Sequence, residues 1–216
     1  MALWGWNGAE YEKQPWHKLS RPGRAVLYGC GSSLTEADVI EQGSVRFVQN
    51  HAFKKVEPHI WIGMDKPSFF GEELLDLPCR KIFRGPHAGE RIGDKLARDY
   101  GEVYWADISQ TNKSHIWFER GLDTRFLWTN NTMTVALHII LWMGFKEIVF
   151  SGIELGGEYF DDRKLSAADK DKIKKLFDLE FGFMTWFSCI AREQGIKLVN
   201  RSKTSRLAAI METVEK

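Results

Sequence analysis

Arg24-Ala25-Val26-Leu27-Tyr28-Gly29-Cys30-Gly31-Ser32-Ser33-Leu34 is the stretch whose reading decides the fold. Arg24–Gly29 is a short apolar run ending in glycine, the pattern of a strand buried on both faces of a parallel sheet. Gly29 and Gly31 allow a tight turn out of that strand, and Leu34–Gln42 then reads as a short helix stopped by Gly43. Ser33 and Glu36 stand in capping-box spacing where it would start. Ser44–Asn50 follows as a second strand, so the first fifty residues already predict a strand, a loop, a helix and a strand.

The same alternation extends outward. His59–Met64 is a third strand, ending at Asp65. Lys81–Phe83 and Val103–Trp105 are further strands around a helix expected over Ile92–Tyr100. Thr132–Met143 reads as a mostly buried helix stopped by Gly144, and Glu147–Ser151 as a clear strand. Ser166, with Asp169 three residues on, opens a long helix running to about Glu193, and Lys197–Asn200 is the last strand after Gly195. Strands alternating with helices predict an α/β, Rossmann-like architecture: a mostly parallel sheet covered by helices on both faces, joined by right-handed crossovers. The expectation is a single α/β domain over residues 1–216, with 1–23 as an N-terminal extension and 24–210 as the core.

Composition narrows the function classes. The 216 residues are 44% hydrophobic and 27% charged, as globular domains are. Thirty basic against 29 acidic side chains leave no global positive field of the kind that drives nonspecific nucleic-acid binding. The N-terminal stretch lacks a basic region followed by an apolar run, and no stretch has about 18 consecutive apolar residues, so a cytoplasmic protein with no membrane span is expected. Cys30, Cys79 and Cys189 are an odd set without metal-ligand spacing, which suits a reducing compartment. Nine tryptophans are the outlier; most are read as packing residues, with stacking on a base or sugar as the alternative.

Ligands of open parallel sheets gather past the carboxyl ends of the strands. The residues there are Gly29–Ser33, Asn50 and His51, Asp65, Gly152–Glu154 and Ser202–Ser205. At Gly29-Cys30-Gly31-Ser32-Ser33-Leu34 the glycines permit close backbone approach, and free N–H groups at a helix start favour a phosphate; a tight turn with an ordinary cap is the alternative. Asp65 is a carboxylate suited to a ribose hydroxyl, a divalent metal or an acceptor proton, or else a turn cap. Glu154, directly after its strand, is better placed than Asp161 or Asp162 in the acidic loop that follows. Among the histidines, His51 is the catalytic candidate, His138 reads as a core residue, and His87 and His115 lie in loops without an assignable partner. Thr132, Gly152 and Ser205 complete the candidate nucleotide contacts with Gly29, Gly31, Ser32, Ser33 and Asn50.

Taken together, VLYGCGSSL, Asn50, PHIWIGMD, NNTMTVALHIILWMGFKEIVFSGIEL and IKLVNRSKTSRL resemble, over roughly residues 24–210, one superfamily. It holds the bacterial sialyltransferase-like glycosyltransferases and the relatives of the archaeal 6-hydroxymethylpterin diphosphokinase, many of them from bacteriophages. In that superfamily the first loop typically reads Gly-Asn-Gly-Pro-Ser-Leu; Gly29, Gly31, Ser33 and Leu34 match, while Cys30 and Ser32 replace Asn and Pro. Where relatives often read Gly-Val-Asp, this chain has Gly152-Ile153-Glu154, a carboxylate one methylene longer. Asn200-Arg201-Ser202-Lys203-Thr204-Ser205-Arg206-Leu207 resembles the Ser-rich nucleotide-side loop of the sialyltransferase-like members. Their catalytic histidine has no counterpart in residues 163–200.

The resemblance implies a nucleotide or nucleotide-sugar donor and a small-molecule or glycan acceptor, with Asp65 or Glu154 serving the acceptor. The diphosphokinase branch implies instead a metal-bound nucleoside triphosphate, with Mg2+ at Asp65. A third reading, a noncatalytic nucleotide- or nucleic-acid-binding protein, draws on Lys170, Lys172, Lys174 and Lys175, which a solvated helix face explains equally.

Overall fold

The structure, a computed structural model, describes residues 3–16, 23–34, 43–110, 126–128, 131–156 and 166–214. The helix expected after Leu34, the loop containing Asp161 and Asp162, and His115 lie outside them.

The core of the fold is a mostly parallel sheet. In chain order its strands are β1 (Leu3–Trp6), β2 (Tyr11–Lys13), β3 (Arg24–Tyr28), β4 (Val45–Gln49), β5 (Ile60–Ile62) and β6 (Arg80–Arg84). The short pair β7 (Arg91–Ile92) and β8 (Lys95–Leu96) follows, then β9 (Val103–Ala106), a second short pair β10 (Ile108–Gln110) and β11 (Phe126–Trp128), and β12 (Glu147–Ser151), β13 (Lys197–Asn200) and β14 (Glu212–Thr213). The large sheet runs β14-β13-β12-β3-β4-β5-β6-β9-β1-β2. From β14 to β9 every pairing is parallel, and the β1–β2 hairpin adds two antiparallel strands at the edge. Among the described residues the α-helices are α1 (Glu72–Leu75), α2 (Thr132–Trp142) and α3 (Ala167–Glu193).

β3 and β12 are adjacent and central, with Val149 opposite Val26 and Ser151 opposite Tyr28. Strand alternation divides their side chains between two cores. Ala25, Leu27, Phe47, Ile148 and Phe150 join the core built with α2 and α3. Val26, Tyr28, Val48, Trp61 and Val149 join the aromatic core on the opposite face. Both faces are covered, which is why the strands read as unbroken apolar runs rather than as alternating ones. Helix α2 is buried almost all round, as its apolar composition predicts; Asn131 caps it by accepting a hydrogen bond from the Met133 N–H at 2.8 Å. Ser166 caps α3 through the Asp169 N–H at 3.1 Å, in the capping arrangement its sequence spacing predicts.

Two expectations are corrected. The helix predicted over Ile92–Tyr100 is instead the β7–β8 hairpin followed by a 3-10 turn at Ala97–Asp99. Gly93, at φ +55, and Asp94 form the two-residue turn that folds the chain back, and this turn overrides the helical periodicity. The N-terminal segment, read as an extension outside the core, instead joins the sheet over its described residues 3–16: Leu3 and Trp16 are buried, and Trp4 pairs with Trp105 on β9. Among the described residues no helix is long and apolar enough to cross a membrane.

Candidate functional site

The chain leaves β3 toward β4 on one side and returns through α2 to β12 on the other. The strand order therefore reverses between β3 and β12, and a crevice opens beyond their carboxyl ends, where such sheets bind ligands. Its walls come from six stretches of chain. Cys30 and Gly31 follow β3, Gln49 and Asn50 end β4, and Asp65 follows β5. Asn131, Thr132 and Met133 start α2, residues 152–156 follow β12, and Leu176 and Phe177 of α3 close one side. The volume of this open crevice is about 200 Å³. A larger hollow of about 630 Å³ lies at the amino ends of β4, β5 and β6, bordered by Gly23 and Gly43. Both glycines adjoin undescribed segments, and none of the polar strand-end loops reaches it.

The glycines of the crevice are set by backbone contact. The N–H groups of Gly29 and Gly31 donate to the carbonyls of Ser151 and Gly152, each at 2.8 Å. A Cβ on Gly29 would stand 2.5 Å from the Gly152 oxygen, and one on Gly152, at φ +65, 2.7 Å from the Gly29 oxygen. The two strand ends can approach this closely only as glycines.

Above Gly31 lies the carboxylate of Glu154, in the volume a side chain on that glycine would occupy. One oxygen of this buried carboxylate accepts from the Ser33 N–H at 3.1 Å and from the Ser33 hydroxyl. The space that the sequence reserves for a phosphate over Gly31 is thus held by the protein's own anion, for the same reason: exposed N–H and O–H donors attract negative charge. Ser32 is exposed and off the cavity wall.

Glu154 is itself held in place by the closing loop. Ser205 donates its hydroxyl to the Ile153 carbonyl at 2.6 Å and accepts from the Leu207 N–H, while the Arg206 N–H donates to the Glu154 carbonyl at 3.0 Å. The Arg206 guanidinium reaches the Leu155 carbonyl at 3.2 Å and Asp178 at 2.7 Å. Ser205, expected as a nucleotide contact, is buried behind the wall and buttresses it.

On the opposite wall, Asn50 has a left-handed backbone at φ 50, a conformation asparagine tolerates better than most residues. The Trp61 indole N–H fixes its carbonyl at 2.7 Å, and its side-chain oxygen accepts from the Thr132 hydroxyl at 3.2 Å. Leu155 across the cavity is also left-handed, at φ 51. Such backbone geometry gathers at ligand sites. Asp65 is exposed at the rim and makes no hydrogen bond or ion pair among the described residues. Asp65 and Glu154, chosen from sequence as two strand-end carboxylates, therefore line one cavity.

The histidines fall elsewhere. His51 packs against Phe69 and Phe70, each with ring centroids 5.3 Å away, and is not on the cavity wall. His138 is buried in α2, where burial pushes its pKa down to about 3 and keeps the ring neutral, as its reading as a core residue predicts. His87 lies 3.8 Å from Glu90, with its pKa lowered chiefly by burial. Among the described residues no group of three or more His, Cys, Asp or Glu side chains gathers as metal ligands.

Sequence reasoning missed Gln49, Asn131, Leu176 and Phe177. Gln49 is buried at 7% exposure, and its side-chain oxygen has no partner among the described residues. It lies inside the predicted strand Ser44–Asn50, next to its carboxyl end. Asn131 was legible as a helix cap. Nothing local marks Leu176 or Phe177, which reach the site only through the packing of α3. Lys170, Lys172, Lys174 and Lys175 are all exposed on the first turns of α3.

No protein-family model matches the chain, and no curated protein matches it significantly. Among solved structures, the chain is similar to the sialyltransferase CstII from Campylobacter jejuni in complex with the substrate analogue CMP-3FNeuAc. The TM-score is 0.51 at 15% identity, over 88% of this chain and 86% of that one. It is also similar to the sialyltransferase CST-II in complex with trisaccharide acceptor and CMP, with a TM-score of 0.53 at 14% identity over 88% and 85% of the two chains. At this identity the likeness is one of fold: the Rossmann-like α/β architecture of a sialyltransferase.

Proposed function

We propose that the chain is a nucleotide-sugar-dependent glycosyltransferase of the sialyltransferase-like, phage-type class, acting in the cytoplasm on a small-molecule or glycan acceptor. The observation that carries this reading is the polar cavity at the β3–β12 crossing point, on a fold that in CstII accompanies CMP and a CMP-sugar analogue. Five separate segments bring Gly31, Asn50, Asp65, Thr132, Gly152 and Glu154 to it.

In this reading Asn50 and Thr132, already bonded to each other, present an amide and a hydroxyl to the donor. Gln49 offers a buried amide beside them, and Gly29, Gly31 and Gly152 let the two strand-end loops and the Glu154 carboxylate close together beneath the donor. Asp65 is the general base: it takes the proton of the acceptor hydroxyl as that oxygen bonds to the anomeric carbon and the nucleotide leaves. Glu154, held by Ser33, keeps the two strand-end loops in register and lines the donor side. His51, beside the rim, acts on the acceptor rather than on the donor. Mg2+ would enter with the phosphates of the donor.

Titration calorimetry with CMP, UDP, GDP and ATP, each with and without Mg2+, tests the reading. Binding of a nucleotide monophosphate or diphosphate, followed by transfer from the matching nucleotide-sugar, is expected. Binding of ATP alone, and only with Mg2+, would move the assignment to the diphosphokinase branch. No nucleotide binding at millimolar concentration would end it.

A further inference from the structure

Two residues of the cavity wall, Asn50 and Asp65, are followed within a few residues of chain by members of one aromatic cluster. Asn50 is followed by His51, and Asp65 by the 3-10 turn Pro67–Phe69. The ring centroids of His51 and Phe69 are 5.3 Å apart, and those of Phe69 and Phe70 5.4 Å with planes at 89°. Phe70 is buried against Trp61 at 4.7 Å, whereas Phe69 is 58% exposed. The turn is fixed by hydrogen bonds from Phe69 N–H to the Lys66 carbonyl at 2.9 Å and from Phe70 N–H to the Pro67 carbonyl at 3.1 Å. Phe69 is therefore a ring held by its backbone and by packing on its neighbours, yet open to solvent beside a polar cleft.

We infer that Phe69, backed by His51 and Phe70 and flanked by Asp65, is the platform for a neutral terminal pyranose ring of the acceptor. This rests on the glycosyltransferase reading and specifies its acceptor side. The face of an aromatic ring is electron-rich and apolar, so it attracts the C–H face of a sugar, while the hydroxyls on the sugar edge need polar partners. Asp65 stands four residues before Phe69 and supplies an acceptor for such a hydroxyl.

Charge selects among sugars. Lys54 is paired with Glu73 at 3.2 Å and Lys66 with Glu90 at 3.4 Å, so the cations of this rim are already compensated. Among the described residues the Asp65 carboxylate has no ion-pair partner, and it favours hydroxyl donors and disfavours a sugar bearing its own carboxylate. The platform therefore takes a neutral terminal pyranose in preference to a sialylated end.

Saturation-transfer NMR with methyl β-galactoside, methyl β-glucoside and 3′-sialyllactose, in the presence of CMP, tests this on the intact chain. Saturation of the C–H protons of a methyl pyranoside is expected, with weaker saturation of 3′-sialyllactose. Phe69→Ala, which removes an exposed ring, should weaken pyranoside binding about tenfold. Phe69→Tyr should retain it, and CMP affinity by calorimetry should be unchanged in both variants. No sugar signal from the wild type, equal binding by Phe69→Ala, or tighter binding of 3′-sialyllactose each overturns the platform. The two proposals fail separately. CMP binding without pyranoside binding removes the platform alone, and Phe69-dependent pyranoside binding without any nucleotide binding removes the glycosyltransferase reading while the sugar site stands.

Discussion

Glu154 folds back over Gly31, so that its carboxylate occupies the volume a side chain there would need and accepts the Ser33 N–H at 3.1 Å. A residue from the end of β12 thus completes the turn after β3, and the crevice between the two strands is latched across its mouth.

Gly31→Ala is expected to destabilise the protein by about 1–3 kcal/mol, because the added methyl must displace a buried carboxylate. Urea unfolding measures the change. In the Glu154→Ala background the same methyl finds open space, so the two substitutions should be strongly non-additive. Additive effects would show that Glu154 does not rest on Gly31.

The two cavity carboxylates should respond differently to loss of charge. Asp65→Asn alters an exposed, unpaired group, so stability and nucleotide affinity should be retained while glycosyl transfer falls about 100-fold to 10,000-fold, the usual range for a lost general base. Glu154→Gln weakens a charge-assisted bond to Ser33 and should lower the unfolding free energy by about 1–3 kcal/mol as well. Parallel melts and transfer assays on both variants separate a base from a latch; undiminished turnover in Asp65→Asn would remove its catalytic assignment.

Acid should act through His138. Its folded pKa, about 3, lies below the ordinary 6.5, so between these values the unfolded chain binds a proton that the native state refuses. Stability is complete above about pH 6.5 and declines as pH falls toward 3, by an amount on the order of 4 kcal/mol at the bottom of the window. In His138→Leu the decline between pH 6.5 and 3 should be shallower. Unfolding free energies measured across that range in wild type and variant decide it.

Ser205→Ala should cost about 1–2 kcal/mol through loss of a buried hydrogen bond and a turn cap. Because the lost bond ends on the Ile153 carbonyl, the wall of the cavity should loosen with it. Hydrogen exchange at residues 152–155 is expected to accelerate more than exchange in β13, and equal acceleration in both would indicate general destabilisation instead.

The central strands, α2, α3 and their caps were legible in the sequence, because each depends on neighbours a few residues away: an apolar run between glycines, an Asn or Ser before a helix, a glycine after one. Local information also pointed to Asp65, Asn50 and Glu154, since a polar residue directly after a buried strand must lie at the sheet's carboxyl edge. Other features required distant chain. The Gly93-Asp94 hairpin overrode a helical period, and Leu3–Trp6 became a strand only because β9 offered it an edge. Tertiary structure alone decided that the donors of Ser33 hold Glu154 rather than an empty anion seat, that Ser205 is a buttress, and that Leu176 and Phe177 close the cavity. Ser33 and Glu154 lie 121 residues apart, and a hydrogen bond across that separation is fixed by the parallel register of β3 with β12, which no local pattern encodes.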